Sequence, residues 1–417
     1  MNTDSITLSR RTTALNKYLI YLLYLFVILD FTFLPFSLRF TWGGFFLPYI
    51  VGLIVSLLAA YSFTGTKRFT FAFFYAFVII INFFLKDNIN LGNSLSESFS
   101  ILCTAFMAHY MLNRIDLSKC KWLTFIFVVI TAVYTIRTFL YYLVFPGVMR
   151  FAAMANNYDA ALPFFLRGLA PYSFPHAITC VLPAFVLGLK VPNQSRFKWI
   201  ICAVALAMST VLIYITQATG ALIVALFALI CSGISKIGSI HTNLEKLIWV
   251  SVVVLPLALS QTIQIALLEG VANFVGDDSH YISKIDEMEQ SVTGEGETEG
   301  DINYRGNLLE LTLSAIISHP IFGITDRKYG HHNALPDRWA LYGIVGFLPL
   351  VLYFYFQTKY TMQKIPEQHQ TFYLIGVASN LLMLFSKDML TWYQLFCFIV
   401  VLPVLTLYFG HTKPIKK

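Results

Sequence analysis

The chain has 417 residues, of which 57% are hydrophobic and only 12% charged, with a mean hydropathy of +0.67. Soluble domains carry about 25% charged residues, so the composition excludes a soluble globular protein and points to an all-α, polytopic membrane protein. The net charge of +7 would suit a nucleic-acid partner, but its distribution fits membrane topology better, and no nucleic-acid role is assigned.

A membrane span takes roughly 20 mainly apolar residues. Helices are expected near 18–36, 44–63, 69–86, 94–113, 122–145, 173–190, 197–214, 218–235, 247–266, 337–357, 370–386 and 389–409. That makes about twelve spans in one integral membrane domain, 1–417. Arg10, Arg11 and Lys17 precede an apolar run too long for a signal-peptide core, with no small-residue cleavage site after it. No secretory signal is therefore expected.

Loop charges set the orientation. Lys67-Arg68 follow the second span, Arg114, Lys119 and Lys121 the fourth, and Lys190, Arg196 and Lys198 the sixth. Lys236 and Lys246 follow the eighth, Lys359 and Lys364 the tenth, and Lys413, Lys416 and Lys417 the last. Every second loop is basic, which predicts cytoplasmic termini. The six cysteines fall in predicted spans or an inside loop without zinc-type spacing, so they read as packing residues outside any disulfide.

Two outside loops are long. Residues 146–172 include Arg150 and Arg167, and residues 267–336 lie between the ninth and tenth spans. Loops of this length are usually functional or disordered. The acidic stretch from Asp286 to Asp301 is poor in apolar residues and reads as a disordered, solvated linker. No internal repeat, phosphate-binding P-loop or dinucleotide-type glycine pattern is present.

The larger loop contains most of the residues suited to chemistry. Arg305 opens an apolar run, Leu308 to Ile317, that reads as a short helix on the outer membrane surface. A guanidinium at a helix N-terminus suits a phosphate; snorkelling to the headgroups is the equal alternative. His331 and His332, beside Asn333, have the pKa range of a general base; two solvated loop histidines are the plainer reading. Arg137, late in the fifth span, is either functional or snorkels outward. Asp388, between the last two spans, either pairs with an arginine or is solvated beside Lys387. Asp277-Asp278 lacks the Asp-x-Asp spacing of a nucleotide-sugar metal site, and no metal or cofactor is expected.

The order Arg305, then His319-Pro320-x-x-Gly323, then His332-Asn333, then Tyr342-Gly343-x-x-Gly346 resembles the O-antigen polymerase and O-antigen ligase superfamily. Its members are multi-span bacterial inner-membrane glycosyltransferases of the GT-C type. The predicted span layout and the late, large outside loop also look like that family.

The resemblance implies a donor glycan on undecaprenyl pyrophosphate and a site facing the periplasm, without a metal. It implies that Arg305 holds the pyrophosphate and that His332, with His331 as competitor, is the general base. Asp388 sits where ligases often have an acidic residue. One departure is the stretch Thr216-Gln217-Ala218-Thr219-Gly220, where ligases usually carry an arginine and this chain has none. Arg150, Arg167 and Arg137 are the candidates to supply that charge. A second departure is Ala161, which stands where some polymerase loops place a glycine, separated from the arginine (here Arg150) by ten residues.

The expected activity is polymerisation of lipid-linked repeat units, with a chain-length regulator as a possible partner. The alternatives are a ligase that moves glycan to lipid A core and, in another class, a flippase for the same lipid-linked sugars. A sensor or assembly scaffold is the remaining non-enzymatic reading.

Overall fold

The stretch Lys67–Leu85 contains neither glycine nor proline, and it forms a single helix, α1. Phe69, Ala72, Tyr75, Ala76 and Ile79 recur at three- and four-residue steps and are buried, while Phe73, Phe77 and Phe84 face outward. An apolar exterior of this kind suits a helix whose surroundings are lipid.

The computed structural model describes residues 67–86, 91–114, 117–145, 148–149, 169–216, 218–238, 301–324, 333–387 and 390–410, with short extended pieces at 41–42 and 45–46. After α1 come α2, Leu91–Arg114, and α3, Leu117–Val144. Helix α4, Ser173–Lys190, passes through a 3-10 turn at Thr179–Val181. The cause is local: Pro183 has no N–H to offer the Thr179 carbonyl. Helices α5, Arg196–Ile215, and α6, Thr219–Ile234, follow. Then come α7, Asp301–Ser318, α8, Ala334–Met362, and α9, Gln370–Ser386. Helix α10, Trp392–Gly410, widens to a π-segment at Cys397–Val401, just before Pro403.

Thr41–Trp42 and Phe45–Phe46 form a two-residue antiparallel pair, the one extended pairing among the described residues. The described residues are otherwise helical apart from short turns and connections. Six described helices, α1, α3, α4, α5, α8 and α10, are long and apolar enough to cross a membrane, so this is a helical membrane protein. The expected helices at 18–36, 44–63 and 247–266 lie outside the described residues. The other nine expected helices are present, and α9 has the expected bounds of 370–386.

Helices α4 and α10 occupy the centre, with 83% and 89% of their apolar windows buried, against 33% for α5. They pack on each other; α3 covers α10, α1 lies along α8, and α6 lies along α9. Hydroxyls inside this core mostly close on their own helix. Thr131, Thr135, Ser379 and Thr406 each donate to the carbonyl four residues back. That is the local solution for a polar group with no water nearby.

One end of the bundle is basic. Lys190 donates to the Ser232 and Ser235 carbonyls at 2.8 Å, capping α6 and complementing its negative dipole end. Nearby, Gln194 donates to the Phe409 carbonyl and Lys198 to that of Tyr408. Arg68 belongs to the same end: it donates to Gln357 at 3.3 Å and lies 3.5 Å from the centre of the Tyr360 ring. It also meets His109 Nδ1, and Asn113 approaches the same nitrogen at 3.0 Å.

Candidate functional site

The opposite end is built around α8. Among the described residues of α8, Gly343 is the interruption, with φ 62° and ψ −170°. This conformation is essentially confined to glycine. A Cβ there would lie 2.1 Å from the Ile321 carbonyl oxygen.

The interruption frees backbone groups, and the turn after α7 takes them. Ile344 and Val345 donate to the carbonyls of Pro320 and Ile321 at 2.8 and 3.2 Å, and Ile324 donates to Ala340 at 2.9 Å. Gly323, at φ +72°, brings this turn so close that its own Cβ would lie 2.3 Å from the Leu341 oxygen. Lys86, just past α1, completes the junction by donating to the carbonyls of Phe322, at 3.0 Å, and Leu341. Burial lowers this lysine's pKa to about 8. The glycines at 323 and 343 thus serve one purpose: they allow two backbones to approach until they pair.

Asp337, in the first turn of α8, is 1% exposed. One carboxylate oxygen accepts from Thr312 of α7 at 3.0 Å, the other from the backbone N–H of Asn333 at 2.7 Å. A carboxylate is favourable at a helix N-terminus, and here it also ties α7 to the chain leading into α8. Ala315 and Ile316 of α7 pack with Ile324 and Ala340 beneath it.

Two further contacts close this end. Arg338 grips Glu97 of α2 through Nε at 3.1 Å and Nη2 at 3.0 Å. The Tyr75 hydroxyl donates to the same carboxylate. The two-pronged geometry is the strong form of the pair. On the other side, Ala334 donates to the Lys387 carbonyl at 3.0 Å. The Lys387 side chain reaches the start of α6, where its Cε lies 3.6 Å from the place a Cβ on Gly220 would take. It is also in electrostatic range of His176. His176 Nδ1 meets the Tyr172 carbonyl at 2.9 Å, while Nε2 is buried without a partner.

Arg305 falls in the second turn of α7, with its side chain outside the described residues. His331, His332, Arg150, Arg167 and Asp388 also lie outside them. Asn333 is buried and starts α8, engaging Asp337 through its backbone. Arg137 is exposed on α3 beside Ile136 and Leu140, both also exposed.

Sequence reasoning passed over Lys86, Glu97, Asp337, Arg338 and His176, and treated Lys387 only as a neighbour of Asp388. The available signal was an ionisable residue inside or at the edge of an apolar helix, which Glu97 and Lys86 both satisfy. In the stretch that lacks an arginine, at Gly220, the structure brings up the cation of Lys387. No protein-family model matches this chain, and no curated protein matches it.

Proposed function

We propose that the protein is a glycosyltransferase of the bacterial inner membrane that polymerises glycan repeat units carried on undecaprenyl pyrophosphate. The observation that carries this reading is the double grip of Asp337 on Thr312 and Asn333. It tethers the helix bearing Arg305 and the chain immediately after His331-His332 to the same turn of α8. The motif order supports the same reading, because its glycines at 323 and 343 stand where that junction requires them.

In this reading about twelve spans place both termini in the cytoplasm and the α7–α8 junction toward the periplasm. His332, or His331 in its place, takes the proton of the acceptor hydroxyl. The oxygen attacks the anomeric carbon, the bond to the pyrophosphate oxygen breaks, and the configuration inverts. Arg305 stabilises the charge gathering on the departing lipid pyrophosphate, an interaction that strengthens toward the transition state. The cation of Lys387 lies on the same side and adds to that positive field.

An interrupted helix also occurs in transporters, where freed carbonyls hold ions. Here the Ala340 and Leu341 carbonyls are taken by Ile324 and Lys86, which favours the enzyme over the flippase.

The test is surface glycan on a gel, from a deletion strain complemented with wild type, Arg305→Ala or His332→Ala. Wild type restores a ladder; each variant, present in the membrane at normal amount, leaves core with a single repeat unit. Bare core, with polymer held on the lipid carrier, identifies the ligase instead. A full ladder from both variants removes the site assignment. Arg305→Lys is also expected to impair, since lysine lacks the two-pronged phosphate contact.

A further inference from the structure

At the basic end a groove opens between the beginnings of α3 and α5 and the last turn of α10. Lys121, Thr124 and Phe125 line it from α3, Phe197 and Ile201 from α5, and Tyr408 from α10, around a cavity of about 290 Å³. The spacing is what makes a continuous wall: positions three and four apart share a helix face. Phe125 and Phe197 are exposed, so the groove opens on the apolar flank of the bundle.

Thr124 is the unusual member. It is 1% exposed and its hydroxyl has no hydrogen-bond partner. Thr131 and Thr135, further along the same helix, both close on the carbonyl four residues back. A buried hydroxyl left unpaired is costly, and this one belongs to a residue of the groove wall.

Charge selects the occupant. Lys121 lies three residues toward the basic end from Thr124, about 4.5 Å along the helix axis. Lys198 adjoins the groove, its ammonium 4.3 Å from the centre of the Tyr408 ring. Helices α3, α5 and α10 contain no Asp or Glu. Trp122, whose ring centre is 5.5 Å from Lys121 Nζ, is a residue type that collects at headgroup level. A soluble anion would leave Phe125, Phe197 and Ile201 uncovered, and a neutral lipid would gain nothing from the two positive charges.

We propose that this groove is a binding site for an anionic phospholipid of the leaflet at the basic end. Lys121, with Lys198 beside it, faces the phosphate; Thr124 donates to an ester oxygen one layer deeper; and one acyl chain lies along Phe125, Phe197 and Ile201. The site is independent of the reaction proposed above and lies at the other end of the bundle.

The full chain, purified in detergent and stripped of lipid, is incubated with phosphatidylglycerol or phosphatidylcholine at equal concentration, and retained lipid is counted by native mass spectrometry. Wild type retains phosphatidylglycerol in preference. Lys121→Gln lowers that preference about fivefold, the effect of one basic side chain at an anionic lipid surface. Lys359→Gln, an exposed lysine elsewhere at the basic end, leaves it unchanged. Thr124→Val reduces retention while the lipid-free protein melts no lower than wild type. Equal retention of the two lipids by wild type overturns the proposal, as does an equal loss in Lys359→Gln or full preference in both groove variants. Displacement by glycerol phosphate alone also overturns it, since the apolar wall would then contribute nothing.

Discussion

Lys86 combines two opposing effects in one side chain. Two carbonyl acceptors favour its ammonium, burial opposes it, and burial dominates, leaving the group at about 8. Lys86→Met removes the donor and leaves the Phe322 and Leu341 carbonyls unpaired, at a cost of about 1–3 kcal/mol for each that stays dry. Thermal unfolding in detergent at pH 7 measures it. The pH dependence has a definite sign. An unfolded lysine keeps its proton to about 10.4, so between about 8 and that value the unfolded chain binds more protons than the folded one. Stability of wild type relative to Lys86→Met therefore rises with pH across this window. A flat difference would show that the ammonium is not desolvated at the junction. Lys86 ends an apolar run in the sequence, and that position alone does not separate a capping lysine from a snorkelling one.

At the scale of elements, the helices were largely legible and the interruption of α8 was not. Apolar run length and loop charge placed nine of the described helices, because a membrane demands about 20 apolar residues whatever the packing. Gly343-x-x-Gly346 in the sequence suits close packing of an unbroken helix equally well. Only the turn at 320–324, pairing with residues 340–345, distinguishes the two. Gly343→Ala is expected to be poorly tolerated: alanine disfavours φ 62°, and its Cβ would collide with backbone rather than a movable side chain. Reduced folded yield and a lower melting temperature than a Gly233→Ala control, where the added Cβ meets nothing within 4 Å, would bear this out. Equal behaviour of the two variants would show that α8 runs straight.

At the scale of the molecule, the bundle has two chemically different ends. One gathers Lys67, Lys121, Lys190, Arg196, Lys198 and Lys359 near the ends of their helices, with Lys364 in the turn after α8. The other combines Glu97, Asp337, Arg338 and Lys86 in paired contacts, with the Lys387 side chain beside Gly220. By the positive-inside rule the first end is expected to face the cytoplasm. A cysteine at exposed Lys236 should then react with an impermeant maleimide only after permeabilisation, and one at exposed Phe322 should react in intact spheroplasts. The reverse pattern would invert the topology and put the proposed site on the wrong side for a periplasmic acceptor.

Membrane class, the positions of the described helices, alternation of loop charge and the polar stretch around Arg305 and His332 were legible in the sequence alone. Each follows from hydrophobic length or from charge that bulk lipid and water sort without regard to neighbours. The partners of Asp337, the use of Lys86 at the broken helix, the approach of Lys387 to Gly220 and the orphan hydroxyl of Thr124 were decided only by tertiary structure. These contacts join residues far apart in the chain or depend on the space between helices. Inside a bundle without water, a polar side chain takes whichever partner the packing brings within about 3 Å, and no local pattern records which one that is.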